Sequence, residues 1–170
     1  MARYVAFLRG VSPSNLKMAD LKHCLESAGF LDVKPVLSSG NVAFTSRSRS
    51  AGNIEGKVEA AMAGRLRRSF YTIVRSTAEL QSMIAADPYS TFDLPSNAKR
   101  VVTFARELVK PGRLPIEMDG AQILAVGDRA AFTAYVAGPR GPVFMKLIES
   151  TFGSHVTTRT WETVKRCAKA

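Results

Sequence analysis

The chain has 170 residues, 46% of them hydrophobic, and a mean hydropathy of −0.01, so it can bury a real core and suits one large domain or two small ones. No apolar run approaches the roughly 18 residues of a membrane span, and Met1–Gly10 is too short and too abruptly charged for a signal peptide. The net charge of +10 admits an anionic partner, nucleic acid included, and equally a solvated basic surface.

Arg3 to Arg9 is β-prone, with Tyr4, Ala6 and Leu8 on one face and Val5 and Phe7 on the other. Both faces are apolar, which predicts a central strand covered on both sides. Gly10 to Asn15 is a loop broken by Pro13. Met18, Leu21, Leu25 and Ala28 recur at helical spacing, with Gly29 as the C-terminal stop. Val33 to Leu37 and Val42 to Thr45 then flank Ser38-Ser39-Gly40-Asn41, a hairpin signal in which Gly40 supplies the positive φ. The helices on either side are expected to pack on this hairpin.

Ser46 to Gly52 is a basic loop. Ile54, Val58, Ala61, Met62 and Leu66 form a second helical stripe, and Phe70 to Val74 a fourth strand ending at Arg75. The order β-α-β-β-α-β within the first 75 positions is the ferredoxin-like arrangement. Ser76 or Thr77 is placed to cap a helix that Asp87-Pro88 stops.

Tyr89 to Ala98 reads as a linker. Lys99 to Ala105 is a strand, and Arg106 to Gly120, with Pro111 and Pro115, is irregular or holds a degraded helix. Gln122 to Val126 and Ala130 to Val136 form a second hairpin around Gly127-Asp128. Ala137 to Gly141 is a loop. Val143, Leu147, Ile148 and Phe152 form another helical stripe, stopped at Gly153. His155 to Thr158 is a short strand, and Thr160 to Ala168 a terminal helix with Thr160 as N-cap.

The second half thus follows the first, and Ala43-Phe44-Thr45 recurs as Ala131-Phe132-Thr133 on the exit strand of each hairpin. The expected fold class is α+β, with two tandem ferredoxin-like halves built on antiparallel sheets. Residues 1–87 form one half, and residues 98–170, including the terminal helix, form the other.

Several stretches together resemble the domain of unknown function 1697 family. They are Arg3-Tyr-Val-Ala-Phe-Leu-Arg-Gly10, Met18-Ala-Asp-Leu21 leading to Gly29-Phe30, and Leu37-Ser-Ser-Gly-Asn-Val42 with Phe44. Further along come Val74-Arg75, Asp87-Pro88-Tyr89, and Thr157-Thr-Arg-Thr-Trp161 with Thr163. The resemblance runs over nearly the whole chain and implies a tandem ferredoxin-like fold with no activity attached. Two places depart from the family pattern. Val11-Ser-Pro-Ser-Asn15 stands where relatives carry Asn-Val-Gly-Gly, and Arg159-Thr160-Trp161 where many carry Arg-Asn-Trp.

The candidate site lies where strands one and three meet. Antiparallel pairing brings the end of strand one, with Arg9 and Ser12, to the edge where strand three starts, with Ser38, Ser39 and Asn41. A guanidinium, hydroxyls and an amide at one edge suit a carboxylate or phosphate. The alternative is a well-chosen turn with Arg9 bonded to loop carbonyls. Arg75, ending strand four, and Arg159, before the last helix, are further candidates. Trp161 is the sole tryptophan and reads as an anchor of the terminal helix.

No nucleophile–base pair stands out, and whether the chain is an enzyme stays open. Asp20, Glu26 and Glu55 read as solvent-facing. The cysteines Cys24 and Cys167 and the histidines His23 and His155 are too few and too scattered for a metal site or disulfide framework. No cofactor motif occurs, and a cytoplasmic location is expected. The RNA-recognition motif shares the element order, but its glycine–aromatic signature is absent. The function expected is binding of a small anionic ligand near Arg9 and the Ser39-Gly40-Asn41 turn. The alternatives are a nucleic-acid-binding module and an interaction protein with no small ligand.

Overall fold

The alternation read from Arg3 to Arg9 becomes strand β1 (Ala2–Leu8) in the computed structural model, which describes residues 1–108, 110–138 and 143–170. Nine strands and five helices are described, all with antiparallel pairing, in two sheets. Two compact units result: Met1–Ser82 with Lys165–Ala170, and Met83–Val164. In this division the last six residues group with the first unit, and residues 83–97 with the second.

In the first unit β1 is followed by α1 (Met18–Ser27), β2 (Leu31–Pro35), β3 (Asn41–Ser46), α2 (Ala51–Leu66) and β4 (Thr72–Ser76), and the sheet order is β2-β3-β1-β4. Tyr4, Ala6 and Leu8 bury one face with Val42, Phe44 and Val74 against Leu21 and Leu25 of α1 and Ile54, Val58 and Met62 of α2. Phe30 packs on Phe44 with ring centroids 4.6 Å apart. Val5, Phe7, Ala43 and Ile73, on the other face, are equally buried, as a strand apolar on both sides requires. Leu37 is not strand: it sits in the turn at φ 62° and is exposed.

Helix α2 does more than cover the sheet. Glu55 accepts the Val74 N–H at 3.0 Å and Glu59 the Thr72 N–H at 2.9 Å. Residues four apart on a helix share a face, and alternate residues of a strand point their amides the same way, so the two spacings match. Ser76 continues the series by giving its N–H to Glu79 at 2.7 Å, while its hydroxyl accepts from the Glu79 N–H at 3.1 Å. This is the capping box of α3 (Thr77–Ala86). The expectation of a solvent-facing Glu55 is therefore corrected: it is buried, and its acceptors compensate the donors of an edge strand. Glu55→Ala is expected to leave the Val74 N–H unsatisfied and to cost about 1–3 kcal/mol, with Glu55→Gln retaining most of the stability. Faster hydrogen exchange at the Val74 amide in the Ala variant is the check; unchanged exchange would refute it.

The second unit has β5 (Lys99–Ala105), β6 (Ile116–Met118), β7 (Ala121–Gly127), β8 (Ala130–Tyr135), α4 (Val143–Phe152) and β9 (Val156–Thr160), in the sheet order β6-β7-β8-β5-β9. Leaving out β6, this is the order of the first sheet. Thr133 pairs with Val101, and Phe132 with Val102, as Thr45 and Phe44 pair with Arg3 and Tyr4. The described residues between β5 and β7 hold no helix, against the β-α-β-β-α-β order expected. Pro111 and Pro115 cannot donate in a helical ladder, and β6 takes the sheet edge instead. Leu108, Leu114, Ile116 and Met118 pack on the core that α4 covers with Phe144, Leu147 and Ile148. The loop expected over Ala137 to Gly141 lies partly outside the described residues, as does Val109 within the Arg106–Gly120 stretch. α5 (Trp161–Ala168) closes the chain, with the Thr160 hydroxyl accepting the Thr163 N–H at 3.3 Å.

Candidate functional site

Gly40 fixes the geometry where the two loops of the first unit meet. Its φ is +85°, and its carbonyl accepts the Leu8 N–H at 2.9 Å. A β-carbon at this position would stand 2.8 Å from Val11 Cβ and 3.2 Å from the Leu8 carbonyl. Only a glycine lets the hairpin close on the loop after β1 this tightly. Arg9 itself gives its N–H to the Tyr71 carbonyl at 2.9 Å and is half-buried.

Pro13 does not leave the loop ragged. Asn15 Oδ1 accepts the Ser12 N–H at 2.8 Å, while Asn15 Nδ2 donates to the Gly10 carbonyl at 2.8 Å. The Ser12 and Ser14 hydroxyls are 2.8 Å apart. Asn41, fully buried, turns its amide inward: Nδ2 donates to the Val36 carbonyl at 3.0 Å and to Ser39 Oγ at 3.1 Å. Asn41 thus braces its own turn, and the exposed residues of the hairpin tip are Leu37, Ser38 and Ser39.

Two of the expected cations stand elsewhere. Arg75 is buried in β4 opposite Val5, with its Nε 3.4 Å from Glu79 Oε1. That is an ion-pair distance within the capping box. Arg159 belongs to the second unit, in β9, where its guanidinium donates to Thr157 Oγ1 and to the Thr158 carbonyl. A cation that sequence reasoning did not assign joins the first loop instead: Arg68 donates to the Asn15 carbonyl at 2.8 Å, and its guanidinium lies 5.1 Å from the Phe70 ring. Its place in a dense basic run was visible, but the 53-residue separation from Asn15 hid the contact.

In the second unit Tyr89, Phe132 and Trp161 form an edge-to-face cluster, with Tyr89 centroids 5.2 Å from Trp161 and 6.0 Å from Phe132. The Tyr89 hydroxyl donates to the Val101 carbonyl at 2.9 Å, and burial pushes the phenol above its ordinary range. Trp161 is buried, in keeping with its reading as an anchor. Burial likewise raises Cys24; neither it nor Cys167, also buried, forms a disulfide. Among the described residues no group of three His, Cys, Asp or Glu side chains could hold a metal ion, and no helix is long and apolar enough to cross a membrane.

A family model described as "Protein of unknown function (DUF1697)" matches residues 1–131. The chain is also similar to a solved structure described as the conserved bacterial protein SP0830 from Streptococcus pneumoniae. The two share 22% identity with a TM-score of 0.73, over 99% of this chain and 97% of that one. That likeness is one of fold. No curated protein matches.

Proposed function

We propose, taking as premise that the chain belongs to the DUF1697 family of proteins of unknown function, that its first unit binds a small anionic group at the loops around Arg9 and Gly40. The observation that carries this reading is the close approach of Gly40 to Val11 and Leu8, which holds the Arg9–Asn15 loop and the Ser38-Ser39 tip at one end of the sheet. Arg9 and Arg68 supply positive charge there, and Ser12, Ser38 and Ser39 supply hydroxyls; Asn41 serves by fixing the turn. Arg75, at ion-pair distance from Glu79, is not counted in this group, and Arg159 belongs to the second unit. The strand order and the two helices of the first unit support a ferredoxin-like half. The second unit is then a copy in which a proline-interrupted segment replaced the first helix. A cytoplasmic location accords with two buried cysteines that form no disulfide.

Calorimetric titration with inorganic phosphate and with citrate tests the site. Arg9→Ala is expected to weaken binding about tenfold or more, the loss of one charge-assisted hydrogen bond, with unfolding by urea close to that of the unsubstituted protein. Absence of binding to the unsubstituted protein would refute the reading. So would an Arg9→Ala variant that loses stability while binding either anion as before, which would make Arg9 a brace. The net charge of +10 supports a second reading, a polyanion-binding surface. Titration of labelled DNA and RNA oligonucleotides at low and moderate salt separates the two, because phosphate contacts release counterions and affinity then falls steeply with salt.

A further inference from the structure

The second unit contains a cavity of about 460 Å³. Its volume lies within the range of small-molecule sites. Leu94, Pro95 and Ala98 line it with apolar surface, Lys99 and Arg100 with positive charge, and Trp161 with an indole. These residues come from the segment before β5, from the start of β5, and from the start of α5.

Two stretches singled out in the sequence for other reasons converge beside this cavity. Tyr89, from Asp87-Pro88-Tyr89, stacks edge-on against Trp161, from the Thr157–Trp161 tail, at 5.2 Å. The Arg100 guanidinium lies 5.7 Å from the Tyr89 ring centroid, within reach of the ring's quadrupole. Tyr89 is in turn fixed by its bond to the Val101 carbonyl. Arg100 therefore meets a ligand from a supported position, and a supported side chain loses less entropy on binding. Lys99 Nζ is held in similar fashion, 5.8 Å from the Tyr135 ring.

We propose that this cavity binds a small molecule that joins a planar aromatic ring to an anionic group. The ring would lie against Leu94, Pro95 and Ala98, beside the small edge of the buried Trp161 indole that reaches the cavity, where apolar surface leaves water at a gain. The anion would meet Arg100, whose guanidinium offers its planar fork to a carboxylate or phosphate, while Lys99 adds positive charge at the rim from the opposite face of β5. Glu162 also lines the cavity, and its like charge works against a run of phosphates, so the site selects a single anionic group over a polymer.

Trp161 is the sole tryptophan of the chain, so indole emission reports on this cavity. The full chain is titrated with AMP and with benzoate as two ring-bearing anions, and with adenosine and inorganic phosphate as the separated parts. A saturable change in emission is expected with AMP or benzoate, and affinity for adenosine and for phosphate about tenfold or more lower than for AMP. Arg100→Ala should weaken the ring-bearing anions about tenfold or more, with circular dichroism and the melting transition unchanged. Lys99→Ala, at the neighbouring position of β5, removes the other positive charge of the lining, should weaken them as well and serves if Arg100→Ala does not fold. Three results would overturn the proposal: no saturable change with AMP or benzoate, phosphate alone binding as tightly as AMP, or folded variants at both positions binding as the unsubstituted protein does.

Discussion

Gly40→Ala is expected to destabilise the first unit by about 2–5 kcal/mol, the sum of left-handed strain and overpacking. The new β-carbon would stand 2.8 Å from Val11 Cβ and 3.2 Å from the Leu8 carbonyl, at a φ of +85°. One of these neighbours is backbone of β1, which cannot shift without disturbing the pairing of Leu8 with Thr72. Gly10→Ala isolates the strain, because φ is +77° there and nothing lies within 4 Å of the added carbon; its cost should be only about 1–2 kcal/mol. Val11→Gly combined with Gly40→Ala should cost less than the sum of the two single changes, since removing the Val11 β-carbon takes away the contact at 2.8 Å. Urea unfolding followed by circular dichroism measures all four. Equal losses for Gly10→Ala and Gly40→Ala would show that the two loops do not press together.

Trp161→Ala should have the other large effect, about 3–5 kcal/mol, as for deletion of a buried aromatic side chain. Trp161 is 4% exposed and lies edge-to-face with both Tyr89 and Phe132. Trp161→Phe keeps a ring in place and should recover more than half of the loss. Tyr89 depends on that cluster for its position, so Trp161→Ala is also expected to speed hydrogen exchange at amides of β5 near Val101. A loss under about 1 kcal/mol would be the value for a peripheral side chain and would contradict the packing described.

Much of the fold was legible because it is written in short-range patterns. Alternation on both faces identified β1 as central; Lys99 to Ala105 matched β5 at both ends; the Thr160 cap was placed by residue type and position alone, and the cap of α3 was narrowed to Ser76 or Thr77. Pairing of β1 with β3 followed from the element order. What could not be read is what depends on contacts between distant positions. Glu55 follows Ile54 at the margin of an apolar stripe, and only the presence of β4, 19 residues later, makes a buried carboxylate there favourable. Asn41 offered an amide of the right type for a ligand, yet the turn's own Val36 carbonyl takes it. Arg75 was named by its position at the end of a strand and Arg159 by its position before the last helix, and the partners that engage them are side chains and carbonyls of their own neighbourhoods. The return of Lys165–Ala170 to the first unit has no local signal, although contacts such as the Arg3 bond to the Ala170 carbonyl at 3.0 Å express it.

The three glutamates along β4 bear on how the protein behaves at high concentration. An open sheet ordinarily ends in a ladder of vacant amides that a strand from another molecule can complete, the first step towards fibrillar growth. In β4 the amides of Thr72, Val74 and Ser76 are occupied by Glu59, Glu55 and Glu79, so an incoming strand would have to displace three carboxylates of the same molecule to gain three bonds in exchange. The opposite edge, β2, carries an irregular register between Leu31 and Lys34 and ends at Pro35, which spoils a second template. Folding therefore withdraws both borders of this sheet from polymerisation, and the window for such growth is confined to the time before α2 docks.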